Sequence, residues 1–313
     1  MSYLLKFSLI LFVQIIVTSV TIAANFDYQL KATKVAENTY VFVGETEDFT
    51  FENGGNIVNT GFIVTSDGVV VIDTGSSLRY GNQMKEAIAS VTDKPVVLVY
   101  ITHHHPDHFL GNQAFKGVGI VALGETIKNI NNEGAGFADN LYLMVGDWMR
   151  GTDVLAPNHV AELGLVTMGR HKLEIMSLAG HTSADMAIFD HTTGVLFSGD
   201  LIFHKRTLTT PHANFEQWLA SLTTLRALPI KVLVPGHGPI TKTKKPINEM
   251  VDYINWLDET ISNAVNDGLS MTDAMQIELP ERFKTNALLK SEFSRSITHL
   301  YLSYENLVFK RVN

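Results

Sequence analysis

The sequence predicts a layered α/β fold, and three observations indicate it. Continuous apolar runs at residues 69–72 and 95–100 are typical of strands that are buried on both faces of a sheet. Residues 78–91 lie between these runs and carry apolar side chains at helical spacing. Histidine and aspartate side chains directly follow the second run, and ligand-binding residues favour the ends of strands in such folds.

Composition limits the classes of protein to which the chain can belong. The 313 residues are enough for one large domain, or for one domain with an appendage, and they include 45% apolar and 18% charged residues. A net charge of −8 argues against a nucleic-acid partner, because binding to phosphates needs a basic face. There is no cysteine, so a bound metal must be held by His, Asp or Glu.

Residues 1–23 resemble a secretory signal peptide. Lys6 precedes a long apolar run, and the small residues around Ala23 resemble a cleavage site. We therefore expect a periplasmic or secreted protein. The alternative is an uncleaved N-terminal anchor, which would place the chain at a membrane.

The first strands follow this segment. The stretch NTYVFVGE alternates between apolar and polar residues, as a half-buried strand does. GNIVNTGFIVTSDGVVVIDTG then predicts two strands joined by the turn at residues 66–68. The helix at 78–91 and the strand at 95–100 come next in the chain.

The second half repeats the change from strands to helices. We expect a helix within residues 124–151 and short strands with turns from 161 to 203. Residues 214–229 predict a helix with its apolar side chains on one face, and 230–240 contain a further strand. From Lys245 the chain is mostly helical, with a break near Pro280. These patterns predict one domain at 24–244 and a helical extension at 245–313, packed on the same domain.

The stretch THHHPDHFLGN holds four histidines and an aspartate within six consecutive residues. Alternate residues of an extended loop point the same way, so His103 and His105 can face one ion while His104 points elsewhere. Asp107 and His108 follow a turn at Pro106 and can face a second ion. Imidazole and carboxylate are the ligands of catalytic zinc sites, so the loop predicts metal binding.

Three later stretches offer the same kinds of ligand. LAGHTSADM contains His181, LFSGDLIF contains Asp200 and LVPGHGPI contains His237. Each ligand follows an apolar strand and lies near a glycine, which allows close approach of the backbone. The simpler interpretation of the first cluster, a solvated surface loop, does not explain this recurrence.

These stretches together resemble the metallo-β-lactamase superfamily. HHHPDH resembles its His-x-His-x-Asp-His motif, and GHTSAD, FSGD and PGHG resemble its later motifs. VVVIDTG resembles the strand-ending aspartate that precedes them, and the similarity covers about residues 30–240. The resemblance implies a four-layer αββα sandwich with a dinuclear metal site at one sheet edge, here with a C-terminal helical extension.

The resemblance also assigns roles to residues by position. Asp73 would orient ligands, although a strand-ending turn residue is the alternative interpretation. Asp107 would also orient the nucleophile, as the one catalytic side chain. Two Zn²⁺ ions per chain are expected, and iron or manganese would fit the same ligands. The first metal would be held by His103, His105 and His181. The second metal would be held by Asp107, His108 and His237, and Asp200 would bridge the two.

Details of the motifs favour a hydrolytic branch. His105 stands where the redox di-iron branch has glutamate, and Asp200 stands where β-lactamases usually have cysteine or serine. The set is more similar to glyoxalase II, lactonases and related hydrolases. It implies that a metal-bridging hydroxide cleaves a thioester, lactone or amide of a small-molecule substrate. A looser resemblance is to exported metallohydrolases of sulfur-oxidation and quinoprotein systems.

Three other functions stay open at this point: a class B-type β-lactamase, a mononuclear iron persulfide dioxygenase, and a non-catalytic metal-binding module. Lys205 and Arg206 either hold a substrate carboxylate or are solvated surface charges. His204 and His212 are expected to support ligands or lie at the surface. Residues 44–56 are glycine-rich and polar, and they predict a flap over the cleft.

Overall fold

The strands of the protein form two sheets. The computed structural model describes residues 26–312, and side chains up to residue 308. In the first sheet the initial four strands are antiparallel and the remaining ones parallel. The seven strands lie in chain order: β1 (Thr33–Ala36), β2 (Thr39–Phe42), β3 (Thr60–Val64), β4 (Val69–Ile72), β5 (Val96–Tyr100), β6 (Gly119–Ala122) and β7 (His159–Val160).

The second sheet has five strands. Its first four strands in the chain are antiparallel neighbours, and the last pairs in parallel with the one before it. In chain order they are β8 (Gly164–Met168), β9 (His171–Leu178), β10 (Asp185–Asp190), β11 (Val195–Phe197) and β12 (Val232–Val234). The runs at 69–72 and 95–100 both form strands as predicted. β4 is buried at every position, whereas β5 is buried only at Val99 and Tyr100, so the prediction that the second strand is buried on both faces is wrong for its first half.

Helices cover the outer faces of both sheets, where the sequence predicts them. Ser77 caps the first helix by accepting a hydrogen bond from the backbone of Tyr80. The seven helices are α1 (Leu78–Ala89), α2 (Pro106–Phe109), α3 (Gly124–Val145), α4 (Phe215–Ala227), α5 (Lys245–Asn266), α6 (Met271–Ala274) and α7 (Leu289–Val312).

Three apolar clusters define the four layers. Side chains such as Val70 of β4 and Ile188 of β10 meet between the sheets. Met84 of α1 belongs to a second cluster, on the outer face of the first sheet. Trp218 of α4 belongs to a third cluster, on the outer face of the second sheet, with residues of α5 and α7. The predicted αββα sandwich is therefore confirmed, and the tail helices pack on its second sheet.

The predicted signal peptide, residues 1–23, lies outside the described residues, so export stays a prediction. Within residues 26–312, no helix combines the length and apolar character that a bilayer crossing requires. Helix α5 begins at Lys245, where the helical extension is expected, and the division into 24–244 and 245–313 stays a prediction as well.

Candidate metal centre

The seven predicted ligands come from four loops at one edge of the two sheets. His103 and His105 follow β5, and Pro106 then begins α2, which carries Asp107 and His108. The other three ligands follow strands of the second sheet. All seven side chains are at most 7% exposed: His103, His105, Asp107, His108, His181, Asp200 and His237.

The structure brings the ligand atoms of these side chains together in two groups. His103, His105 and His181 form one group with Asp200, and their ligand atoms all lie within 4.8 Å of one another. A second group with the same spacing is formed by Asp107, His108 and His237.

Asp200 lies between the two groups. Its Oδ2 is 3.4 Å from Nε2 of His181 in the first group and 3.1 Å from Nε2 of His237 in the second. Its Oδ1 is 3.1 Å from Nε2 of His108. A carboxylate that reaches both groups fits the expected bridging role.

Hydrogen bonds behind the rings orient four of the five histidines. A metal-binding histidine usually donates its second N–H to an acceptor, which fixes the tautomer. Nδ1 of His103 lies 3.0 Å from Thr102 Oγ1, and Nδ1 of His237 lies 2.8 Å from the carbonyl oxygen of Ile57. Because these outer nitrogens have acceptors, each inner Nε2 can offer a lone pair.

Asp73 and His212 support the other two rings. Nδ1 of His108 lies 2.7 Å from Asp73 Oδ2, and Nε2 of His105 lies 2.9 Å from His212 Nδ1. Nδ1 of His181 is buried and has no hydrogen-bond partner among the described residues.

The inner atoms of the centre are consistent with bound metal ions. Nε2 of His103, Nε2 of His108 and Oδ1 of Asp200 are buried without a hydrogen-bond partner within the described part of the chain. Unsatisfied buried polar atoms are costly, so a cluster of them indicates a missing partner. Nitrogen and oxygen donors that face one another at 2.8–3.9 Å are arranged as ligands of a common ion. The residues present therefore fit the divalent metals that the sequence predicts.

The two groups differ electrostatically. Burial, together with nearby histidines, holds the pKa of His103 and His105 well below its ordinary value, and lowers that of His181 to about 3. Burial also acts to lower the pKa of His108. The carboxylates of Asp200 and its neighbours outweigh it and raise that pKa well above its ordinary value. The first group is thus neutral imidazole, ready to coordinate a cation.

Asp73 supports the centre from behind, as predicted. Its carboxylate accepts hydrogen bonds from the backbone N–H of Thr102 at 2.8 Å and from the Thr102 hydroxyl at 2.9 Å, besides the contact with His108. Its backbone has φ of 57°, the left-handed region that few residues other than glycine adopt. Such strain is common at functional sites and persists only where the surroundings fix it.

Two of the ligand loops approach each other so closely that only glycine fits at one position between them. A Cβ atom on Gly236 would lie 1.9 Å from Oδ1 of Asp200, so any other residue there would displace the carboxylate. This contact confirms that glycine beside His237 permits close approach of the backbone.

A third group of histidines lies beside the first. His104 points away from the centre, as predicted. It is 2% exposed, and neither of its ring nitrogens has a hydrogen-bond partner in the described residues. Its Nε2 and Nε2 of His212 lie 3.8 Å and 3.6 Å from Oε2 of Glu133 on α3. Sequence patterns did not single out Glu133, because it lies on a predicted helix with no motif around it.

The structure places Lys205, Arg206 and His204, whose roles the sequence leaves open. Lys205 is exposed, whereas Arg206 is 4% exposed and its Nη2 lies 3.7 Å from Oε1 of Glu292 on α7. Nδ1 of His204 lies 2.6 Å from the carbonyl oxygen of Pro239. Arg206 is therefore a buried charge of the site, and His204 braces the loop that carries His237.

A cavity of about 370 Å³ opens above the ligands, which is a size typical of small-molecule sites. Asp107, Asp200 and His237 form part of its floor. The predicted flap contributes Asp48 and Phe49 to the rim. The arrangement places a cluster of metal ligands at the base of a cleft that is open to solvent.

Comparisons with known proteins agree with this geometry. The family model of the metallo-β-lactamase superfamily matches residues 53–237. A linear primary-alkylsulfatase of a Pseudomonas species is 22% identical over 280 residues, which cover 76% of this chain and 53% of that protein. The human acyl-coenzyme A thioesterase MBLAC2 is 25% identical over 220 residues, covering 60% of this chain and 75% of the thioesterase. The chain thus spans about half the length of the alkylsulfatase.

Solved structures share the fold. A metallo-β-lactamase from Pontibacter korlensis superposes with a TM-score of 0.60 at 22% sequence identity. The match covers 72% of this chain and 99% of that one.

Proposed function

Because the chain belongs to the metallo-β-lactamase superfamily, we propose that it is a dinuclear zinc hydrolase that cleaves an ester-like bond of a small molecule. The observation that carries the proposal is the pair of ligand groups that share Asp200, in which Nε2 of His103, Nε2 of His108 and Oδ1 of Asp200 are buried without a hydrogen-bond partner among the described residues. Seven ligands of this kind are enough for two ions with an open position at each.

Two bound divalent ions would supply a nucleophile at neutral pH by lowering the pKa of a water, and would polarise the substrate carbonyl. The orientation of the attacking group is the role of a protein side chain. Oδ2 of Asp107 lies 3.4 Å from Nε2 of His237 and also faces the cavity. A carboxylate there can bind metal and accept a hydrogen bond from the attacking group, which orients it toward the substrate.

The ester-like bond is supported by the relatives. One is named for hydrolysis of acyl-coenzyme A thioesters and another for its action on alkyl sulfates, both of which contain ester-like bonds. Asp200 also stands where the branch of glyoxalase II and related hydrolases has its bridging aspartate.

The test is the metal content of the purified mature protein, measured by elemental mass spectrometry together with thioester and lactone hydrolysis. We expect about two zinc ions per chain and turnover that a chelator abolishes. His105→Ala should lose metal and nearly all activity. His191→Ala is the matched control, because this half-exposed histidine pairs with Glu174 on the second sheet, outside the cavity.

Two outcomes would overturn the proposal. A single iron without zinc, with uptake of oxygen, would indicate oxidative chemistry instead. Full turnover by metal-free His105→Ala would show that the reaction does not depend on this centre.

A further inference from the structure

The cavity above the centre has one apolar wall, and that wall begins at a metal ligand. The ring of Phe137 on α3 meets the ring of His105 edge-on, with centroids 6.1 Å apart. Phe137 and Met144 line the cavity from one face of this helix, with the polar side chain of Asn140 between them. Phe49 adds a further apolar side chain from the flap.

The apolar wall continues to the protein surface. Phe137 and Met144 are seven positions apart, so the wall runs about 10 Å along the axis of α3. At its outer end Met144 is 39% exposed, Leu143 is 83% exposed and Phe51 is 51% exposed. Leu143 precedes Met144 on α3 and the Phe51 ring lies against Gly146 at the end of that helix, and contiguous exposed apolar side chains are typical of a binding surface. The indole N–H of Trp148 donates to the Phe51 carbonyl oxygen at 2.8 Å, which holds this lip in place.

Another part of the cavity lining is charged and comes mainly from α7. Arg206 and Arg295 flank Glu292, with a 3.0 Å contact between Arg295 Nη1 and Glu292 Oε1, and Arg295 also pairs with Asp48. Oε2 of Glu292 is buried without a partner among the described side chains. Hydrocarbon packed on this side would remove charges from water at a high cost, whereas a polar group could hydrogen-bond there.

We propose that the substrate is an amphiphile with an unbranched acyl chain, and that the chain lies along α3 between Phe49, Phe137 and Met144. Its ester-like bond lies over Asp107 and Asp200, and the polar part of the molecule faces Glu292 and Arg295. The inference rests on the proposed hydrolase function and names its class of substrate. A chain longer than the apolar wall leaves the cavity over Leu143 and Phe51.

The experiment uses the metal-loaded protein and p-nitrophenyl esters from acetyl to dodecanoyl, below their critical micelle concentrations. We expect kcat/KM to rise about three- to fourfold for each buried methylene, and to level off once the chain reaches the lip. A flat or falling profile would overturn the inference while leaving the hydrolase intact. No turnover of any ester or thioester by protein with two bound zinc ions would instead contradict the proposed function.

Met144→Gln tests where the acyl chain of the substrate lies. The substitution keeps the length and the helix propensity of the side chain but makes it polar. We expect the ratio of kcat/KM for dodecanoyl over acetyl ester to fall about tenfold. Leu165→Gln is the matched control, since Leu165 is 69% exposed on β8 and lies outside the cavity. An unchanged ratio in Met144→Gln would show that the acyl chain lies elsewhere and would contradict the proposal.

Discussion

His108 and His105 both direct a ring nitrogen into the metal centre, but the groups behind their rings differ. His108 rests on Asp73, a carboxylate at 2.7 Å, and both side chains are at most 2% exposed. His105 rests on His212 at 2.9 Å, which is 34% exposed, and the Glu133 carboxylate beyond it is 41% exposed. One ligand therefore has a buried, charged support, and the other has a support that solvent reaches.

The exposure of the supporting group determines how firmly each ligand is held. Water can replace a hydrogen-bond partner at an exposed position, but it cannot enter beside Asp73 without a rearrangement of the fold. We therefore expect metal binding to depend steeply on the support of His108 and only weakly on the support of His105.

The largest contrast is expected between His108→Ala and His105→Ala in metal-free protein. Removal of the His108 ring leaves the buried Asp73 carboxylate with its hydrogen bonds from Thr102 but without a cationic partner, which costs about 3–5 kcal/mol of unfolding free energy. No carboxylate among the described residues lies within 4 Å of a His105 ring nitrogen, so the loss of that ring should cost less. Urea unfolding in the presence of EDTA measures both. Equal losses would show that Asp73 does not depend on His108.

Asp73→Asn should weaken metal binding at the second site by about 10- to 100-fold. Oδ1 of Asp73 accepts from the Thr102 backbone and Oδ2 accepts from His108, so the carboxylate has no position for a donor. An amide NH₂ group would face the Thr102 N–H, or it would force the proton of His108 onto the nitrogen that should bind metal. Competition with a zinc chelator measures the affinity. Unchanged affinity would show that the charge and the tautomer are set elsewhere.

Thr102→Val should cost about tenfold in metal affinity at the first site. Oγ1 of Thr102 lies 3.0 Å from Nδ1 of His103 and donates to Asp73, so it connects the supports of both groups. Valine keeps the shape and removes only the hydrogen bonds. Thr102→Ser, which keeps the hydroxyl, is the control and should restore most of the affinity. A loss confined to the second site would mean that the contact with His103 is unimportant.

These supports also mark how far the sequence could predict the site. Each of the seven ligands lies in a short motif after an apolar strand, so the local sequence alone could indicate it. Asp73 could be predicted for the same reason. Thr102 is adjacent to the motif, but nothing in its residue type indicates that it bonds to two elements at once. The carbonyl of Ile57 could not be predicted, because its bond to His237 joins residues 180 positions apart.

The walls of the cavity were harder to predict than its floor. The tail was expected to be helical, and α5 and α7 confirm this. The packing of α7 against α5 and the second sheet determines which face of α7 meets the cleft. Hydrophobic periodicity does not give the rotation of α7 about its own axis. Glu292, Arg295 and Glu133 therefore entered the site only with the structure. Arg206 was named, yet its burial depends on the same packing of α7.

The smallest effect is expected at His212. Its Nδ1 accepts the proton of His105 Nε2 when His105 binds metal through Nδ1, which lies 2.8 Å from Nε2 of His181. His212→Ala opens a space that water can fill, so we expect only about a threefold loss of metal affinity at the first site. His212→Gln keeps an acceptor and should lose less. The absorption spectrum of protein loaded with Co²⁺ reports the ligand geometry directly, and a merely structural role for His212 would not shift it. A loss in His212→Ala as large as that in Asp73→Asn would break the comparison, because exposure would then not decide how firmly a ligand is supported.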